Sequence, residues 1–183
     1  NITEVLKSLD ILTNEWGYAW SPTRITVSTI GLIAGLKEFL EKSRCHLAVS
    51  LHSPFDEERR KLMPVQRTNT VREVLDIIRN FDFNSQRRVS FEYILFKGVN
   101  DTPEHIKELA RILNGIKCRI NIIRFHPIPG SDFQSPNLGT TINFKEALNA
   151  KGILTTLRAS RGVDIQAACG LLSTLQQNKT VQK

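Results

Sequence analysis

The groups in this chain that could do chemistry are few and widely spaced. Cys169 lies in RGVDIQAACGLLSTL, where a loop gives way to a helical pattern. A thiolate is a nucleophile, and a helix N-terminus or nearby cations pull a thiol below its usual pKa of about 8.5. Ala167, Ala168 and Gly170 leave room for a ligand beside the sulfur, although small neighbours suit a packed cysteine equally well. His52 and His126 each follow an apolar run, a placement that would allow acid and base roles. Ser28 carries a hydroxyl that could bind a ligand, or the local backbone, which the residue alone favours. Arg158 and Arg161 suit phosphate contacts or solvated surface about equally. Cys45 and Cys118 read as core residues.

Such groups act together only if the fold brings them to one place. Ile2, Val5, Leu6, Leu9 and Leu12 recur at helical spacing, and Asn1 with Glu4 predicts a capping box. RITVST (24–29), HLAVSLH (46–52), RVSFEYILF (88–96), RINIIRF (119–125) and ILTTLRA (153–159) read as strands. Helical patterns occupy 31–43, 70–81 and 102–115, with Gly115 as a C-cap. A loop runs from His126 to Thr141, a short helix ends at Gly152, and a last helix follows the Cys169 loop. Strands alternating with helices predict an α/β fold with a mostly parallel sheet. In such folds ligands bind at the C-terminal ends of strands. Ser28, Ser50, Leu51, His52, the segment Lys97–Asp101 and His126 all stand there, a polar set that favours an enzyme. Within Lys97–Asp101, Gly98 and Asn100–Asp101 equally suit a tight turn with an N-cap.

The chain has 183 residues, 40% hydrophobic and 23% charged, as expected for one globular domain or most of one. No apolar run reaches the ~20 residues of a membrane span, so no membrane partner is expected. Asn1 opens directly into a helical pattern without a leader or initiator Met, which predicts a fragment. The net charge of +7 favours a polyanionic partner. The three cysteines show no CxxC or Cys/His finger spacing, so no metal site is expected within this chain. Their sparse, odd count fits a reducing cytoplasm.

RITVSTIGL, SLHSPFDEERRKLMP, EYILFKGVND, INIIRFHPIPG and RASRGVDIQAACG, in that order, resemble the RlmN/Cfr family of radical-SAM methyltransferases, and the RlmN branch more than Cfr. The resemblance covers nearly the whole chain. It implies a partial (β/α)6 TIM barrel of the radical-SAM type, of which residues 1–183 are the C-terminal part. The N-terminal accessory domain, the first two strands, the CxxxCxxC cluster motif, a second catalytic cysteine and a catalytic glutamate would precede Asn1. It implies methylation of carbon 2 of adenosine in large-subunit ribosomal RNA, with tRNA as a further candidate substrate. S-adenosylmethionine is the cofactor, and a [4Fe–4S] cluster, fed by an electron donor, belongs to the full-length protein only.

By the same resemblance Ser28, Ser50, Leu51, His52 and His126 contact S-adenosylmethionine, and Cys169 is catalytic, carrying the transferred methyl group. Arg158 and Arg161 are candidate RNA contacts. The family has Asn where His126 stands, but a neutral imidazole offers one donor and one acceptor, as an amide does. Leu171 stands where the family often has Gln. The fragment alone is expected to bind no cluster and to be inactive, and its first strand, an open edge, is expected to self-associate. Two other readings remain: a (β/α)-barrel aldolase or isomerase using His52 and His126, and a non-catalytic RNA-binding module.

Overall fold

The computed structural model describes residues 1–63, 69–83, 87–126 and 131–158. The chain opens with α1 (Ile2–Thr13) and a single 3-10 turn, Pro22–Arg24, then β1 (Thr26–Thr29) and α2 (Ile33–Lys42). Next come β2 (His46–Ser50), α3 (Asp56–Leu62), α4 (Val71–Asn80), β3 (Val89–Leu95) and α5 (Pro103–Leu113). β4 (Cys118–Arg124), α6 (Leu138–Ala150) and β5 (Leu154–Leu157) follow. The strands form one sheet in the order β1-β2-β3-β4-β5, and every pair is parallel. This is the α/β architecture that the alternating pattern predicts.

Side chains alternate across a strand, so each strand offers one set to the helices and another to the opposite face. Leu47, Val49, Leu51, Val89, Phe91, Tyr93, Leu95, Ile120 and Ile122 form one cluster with residues of α1, α2, α4, α5 and α6. The helices that share this core therefore lie on one face of the sheet. Full burial of a Leu, Ile or Phe side chain contributes roughly 1.5–3 kcal/mol, so this face carries the stability of the fold. The intervening strand residues point the other way, and among them the row Ser50, Glu92, Asn121 and Thr156 is polar. The order of strands thus separates a face that packs from a face free to bind.

Some local expectations are corrected. Asn1 is the N-cap of α1, but its side chain makes no capping bond, and the Glu4 side chain pairs with Lys7 at 3.0 Å. The capping box belongs to α4, where Thr70 and Glu73 bond reciprocally. Arg24 lies in the 3-10 turn, so β1 begins at Thr26. α6 begins at Leu138, inside the segment that reads as loop, because Asn137 accepts from the Thr140 N–H and Thr141, Phe144 and Leu148 bury one face. α3 shows no apolar period, since its buried residue is Arg59. Gly115 follows α5 at φ +79°, as a helix-ending glycine should.

Candidate functional site

The face of the sheet away from the helices carries ordered rows. Pairing places Ser50 beside Glu92, Glu92 beside Asn121 and Asn121 beside Thr156. The row one step towards the strand N-termini holds Ser28, Ala48, Ser90, Arg119 and Leu154. Hydrogen bonds lock the centre. Thr156 Oγ1 donates to Asn121 Oδ1 at 2.7 Å, and Asn121 Nδ2 donates to Glu92 Oε1, also at 2.7 Å. Ser90 Oγ donates to the same carboxylate oxygen at 3.3 Å. The other oxygen, Glu92 Oε2, is closed off from water and finds no donor among the described residues.

Beside this row, Ser50–Leu51–His52 is held from several sides. Arg59, 3% exposed, donates from Nη2 to the carbonyls of Ile30 and Ser50 at 2.8 Å each, and from Nε to that of Leu51 at 3.1 Å. One guanidinium thus ties together the C-terminal ends of β1 and β2. The Glu92 carbonyl accepts the Leu51 N–H at 3.0 Å. Asn100, fully buried, donates to the carbonyls of His52 and Ile94 and accepts the Phe96 N–H, each at 2.7 Å. Asn100 sits in the turn after β3. There Gly98 takes φ +68° and donates its N–H to Asp101 Oδ1, so this segment has the turn chemistry its sequence allows. The N-cap of α5 is Thr102.

His52 sits in this clamp at φ +57°, a left-handed conformation uncommon for a non-glycine residue. Its Nδ1 accepts the Ile94 N–H at 3.1 Å, which leaves the ring proton on Nε2. Burial, aided by the Arg59 charge, pulls its pKa down to about 4. His52 is therefore a neutral imidazole with one donor and a committed acceptor. That suits ligand recognition and argues against the general-base role of an aldolase or isomerase.

The other sequence-derived residues reach the same end of the sheet to different extents. Ser28 is exposed, near the end of edge strand β1. His126 is half-buried, two residues beyond β4. Above the end of β3, Phe133 packs on Phe96 and the Lys97 N–H bonds the Gln134 carbonyl, so the segment after β4 folds back over that rim. Arg158 is exposed directly after β5. Arg161 and Cys169 lie outside the described residues. Cys45 is 1% exposed, and burial pushes the Cys118 thiol up to about 12. Both stand at strand N-termini, away from the site, as core cysteines.

Sequence reasoning passed over Glu92, Asn121, Thr156 and Arg59, and gave Asn100 only a turn or capping role. Glu92 was findable: Ser90 and Glu92 are polar at every second position of RVSFEYILF. Arg59 was not, because it adjoins Arg60 in DEERRKL and only packing separates them. Ser53, Glu58 and His105 form another cluster. Ser53 Oγ donates to Glu58 Oε2 at 2.7 Å, and His105 Nε2 bonds the same oxygen at 2.8 Å. The carboxylate lies between serine and imidazole, so the imidazole does not touch the hydroxyl. The cluster joins the end of β2 to α3 and α5 as a latch, not a nucleophile.

A parallel sheet with one helical face and a polar row near its strand ends places the molecule among α/β barrel-type binding folds. The chain resembles the crystal structure of a radical SAM methyltransferase from Sphaerobacter thermophilus, with TM-score 0.85 and 40% identity. That match covers 91% of this chain and 49% of the other. Among sequences, it is 53% identical over 180 residues to a probable dual-specificity RNA methyltransferase RlmN of Bacteroides fragilis, 98% of this chain and 52% of the relative. To the protein of the same name from Parabacteroides distasonis it is 57% identical over 174 residues, 95% and 51% of the two lengths. No protein-family model matches it. The fold is that of part of a radical-SAM partial barrel. Over nearly its whole length the chain is similar to proteins named RlmN, and it spans about half the length of the curated relatives it matches.

Proposed function

We propose that the protein to which this chain belongs is a radical-SAM RNA methyltransferase, acting on carbon 2 of adenosine in large-subunit ribosomal RNA and also on tRNA. In this reading residues 1–183 form the C-terminal part of the barrel, with an accessory domain and two strands preceding. The observation that carries it is the clamped Ser50–Leu51–His52 segment beside the Glu92 row, at the strand ends where such folds bind ligands.

The described residues fit S-adenosylmethionine. The unpaired Glu92 Oε2 needs a donor, and the ligand carries hydroxyl and ammonium donors and a positive charge. Ser28, Ser50, Leu51, His52 and His126 would hold it, with the His52 Nε2–H as a donor and backbone groups beside Leu51. When bound there, S-adenosylmethionine would supply the transferred methyl group and the radical chemistry of the reaction. A [4Fe–4S] cluster does not fit the described residues, among which no three His, Cys, Asp or Glu are grouped to hold a metal. Its ligands belong to the CxxxCxxC segment of the full-length protein, which receives its electron from a separate donor.

Cys169 carries the methyl group as a thioether before it reaches adenine. In the sequence Cys169 is flanked by Ala167, Ala168 and Gly170, small residues that would suit a base beside the sulfur. Arg158 and Arg161 contact RNA phosphates, in keeping with the net charge of +7. The reading places the protein in the cytoplasm, where reduced thiols persist. Among the described residues no helix is long and apolar enough to cross a membrane. The 183-residue chain alone, with cysteines only at 45, 118 and 169, is expected to be inactive. Anaerobic assays of the full-length protein with rRNA and tRNA test the reading. Labelled methyl should appear on adenosine carbon 2 and vanish in Cys169→Ala. Methylation surviving that substitution would overturn the assignment of Cys169, and methyl on another base would overturn the reaction.

A further inference from the structure

The Glu92 carboxylate is built for a bond that the described residues do not supply. Asn121 Nδ2 and Ser90 Oγ both serve Oε1, and Thr156 Oγ1 holds the Asn121 amide in the orientation that makes this possible. Oε2 has no donor among the described residues and no contact with bulk water. Leaving a carboxylate oxygen in that state costs more free energy than a neutral amide group in its place would. The described neighbours do not explain the charge, because no cation among them bonds it. Glu92 is flanked by Ser50 on β2, one of the residues assigned to the ligand, and its own carbonyl holds the Leu51 N–H of that segment. The side chain as a whole is only half-buried, and the last torsion of glutamate is broad. The carboxylate can therefore tilt towards a group seated on this face while keeping Asn121.

We infer that Glu92 is a ligand-contacting residue whose second carboxylate oxygen accepts a hydrogen bond from a hydroxyl or ammonium donor of the bound sulfonium nucleoside. The inference rests on the S-adenosylmethionine reading above. Ser90, Asn121 and Thr156 are positioning residues for it. Glu92 thus destabilises the empty site and strengthens the filled one, a pairing that a merely structural glutamate would not show.

The test uses the full-length protein, reconstituted anaerobically, with S-adenosylmethionine binding measured by equilibrium dialysis and unfolding followed without ligand. Glu92→Gln keeps the acceptor for Asn121 but sets an N–H donor where Oε2 stood. It should bind S-adenosylmethionine at least tenfold more weakly, with a Tm no lower than that of the wild type. 5′-Methylthioadenosine, which keeps the ribose and lacks the ammonium, identifies the donor. An equal loss for both compounds assigns a ribose hydroxyl, and a loss confined to S-adenosylmethionine assigns the ammonium. Unchanged affinity in Glu92→Gln overturns the inference, whatever its Tm. If that variant does not fold, Glu92→Asp decides, since it keeps the charge but withdraws it. Affinity weakened several-fold supports the inference, and affinity equal to wild type overturns it. A wild-type protein that fails to bind S-adenosylmethionine would instead overturn the cofactor reading itself.

Discussion

His52 shows how much of this site is electrostatic preparation. Buried beside Arg59, its ring holds a pKa of about 4 against an ordinary 6.5. Above pH 6.5 folded and unfolded chains bind the same number of protons at this residue. Between 6.5 and 4 the unfolded chain binds more, so stability falls as pH falls and the loss is complete below about 4. It amounts to on the order of 3 kcal/mol. Urea unfolding at intervals from pH 7 to 4 should show this slope, and His52→Asn should flatten it; an undiminished slope would assign the loss to other groups. The cysteines divide by the same physics. With Cys45 sealed in the core and the Cys118 thiol pushed to about 12, neither should react with iodoacetamide at pH 8 until the chain is unfolded. In the full-length protein, on the reading proposed here, peptide mass spectrometry should find a methyl group on Cys169 and on neither of the others. A methyl group on Cys118 would show that the wrong sulfur has been assigned.

Single elements are held to one another by buried polar side chains as much as by the apolar core. Asn100 joins the end of β2 to the end of β3, and replacing it with alanine strands two carbonyls and one N–H. Each buried unpaired group costs about 1–3 kcal/mol, so Asn100→Ala should lose at least ~3 kcal/mol in urea unfolding. Asn137→Ala, which removes only the exposed cap of α6, should lose about 1 kcal/mol. Similar losses from the two would mean that the clamp is not cooperative. The contrast also explains which elements were legible. α4 and α5 carry an apolar period and were evident from sequence, whereas α3 buries an arginine and α6 starts in LGTT, where only the fold supplies the buried face.

For the molecule as a whole, the exposed feature is the edge of the sheet. β1 pairs with β2 on one side only, among the described residues, and both Thr26 and Ser28 are exposed. An unpaired strand edge invites another strand. The 183-residue chain is therefore expected to sediment as a dimer or larger species at micromolar concentration. A Thr26→Lys/Ser28→Lys double variant should shift it to monomer. A wild-type chain that stays monomeric across that range would contradict the expectation. In a full-length protein, on the reading proposed here, a preceding strand covers this edge and the site gains its remaining wall.

The order of strands and helices and the parallel sheet were legible in the sequence, because period-2 and period-3.6 hydrophobicity are local properties of a chain. The placement of Ser28, Ser50, His52 and His126 at strand ends followed from that order, since the residue after a parallel strand has little choice of end. The tertiary structure alone decided which of the polar residues are paired. Whether Arg59 or Arg60 turns inward depends on three carbonyls at or just beyond the ends of two strands. Whether Glu92 is satisfied depends on Asn121 and Thr156, 29 and 64 residues away in the chain. Hydrogen-bond satisfaction and desolvation are properties of the assembled interior, and no local pattern encodes them.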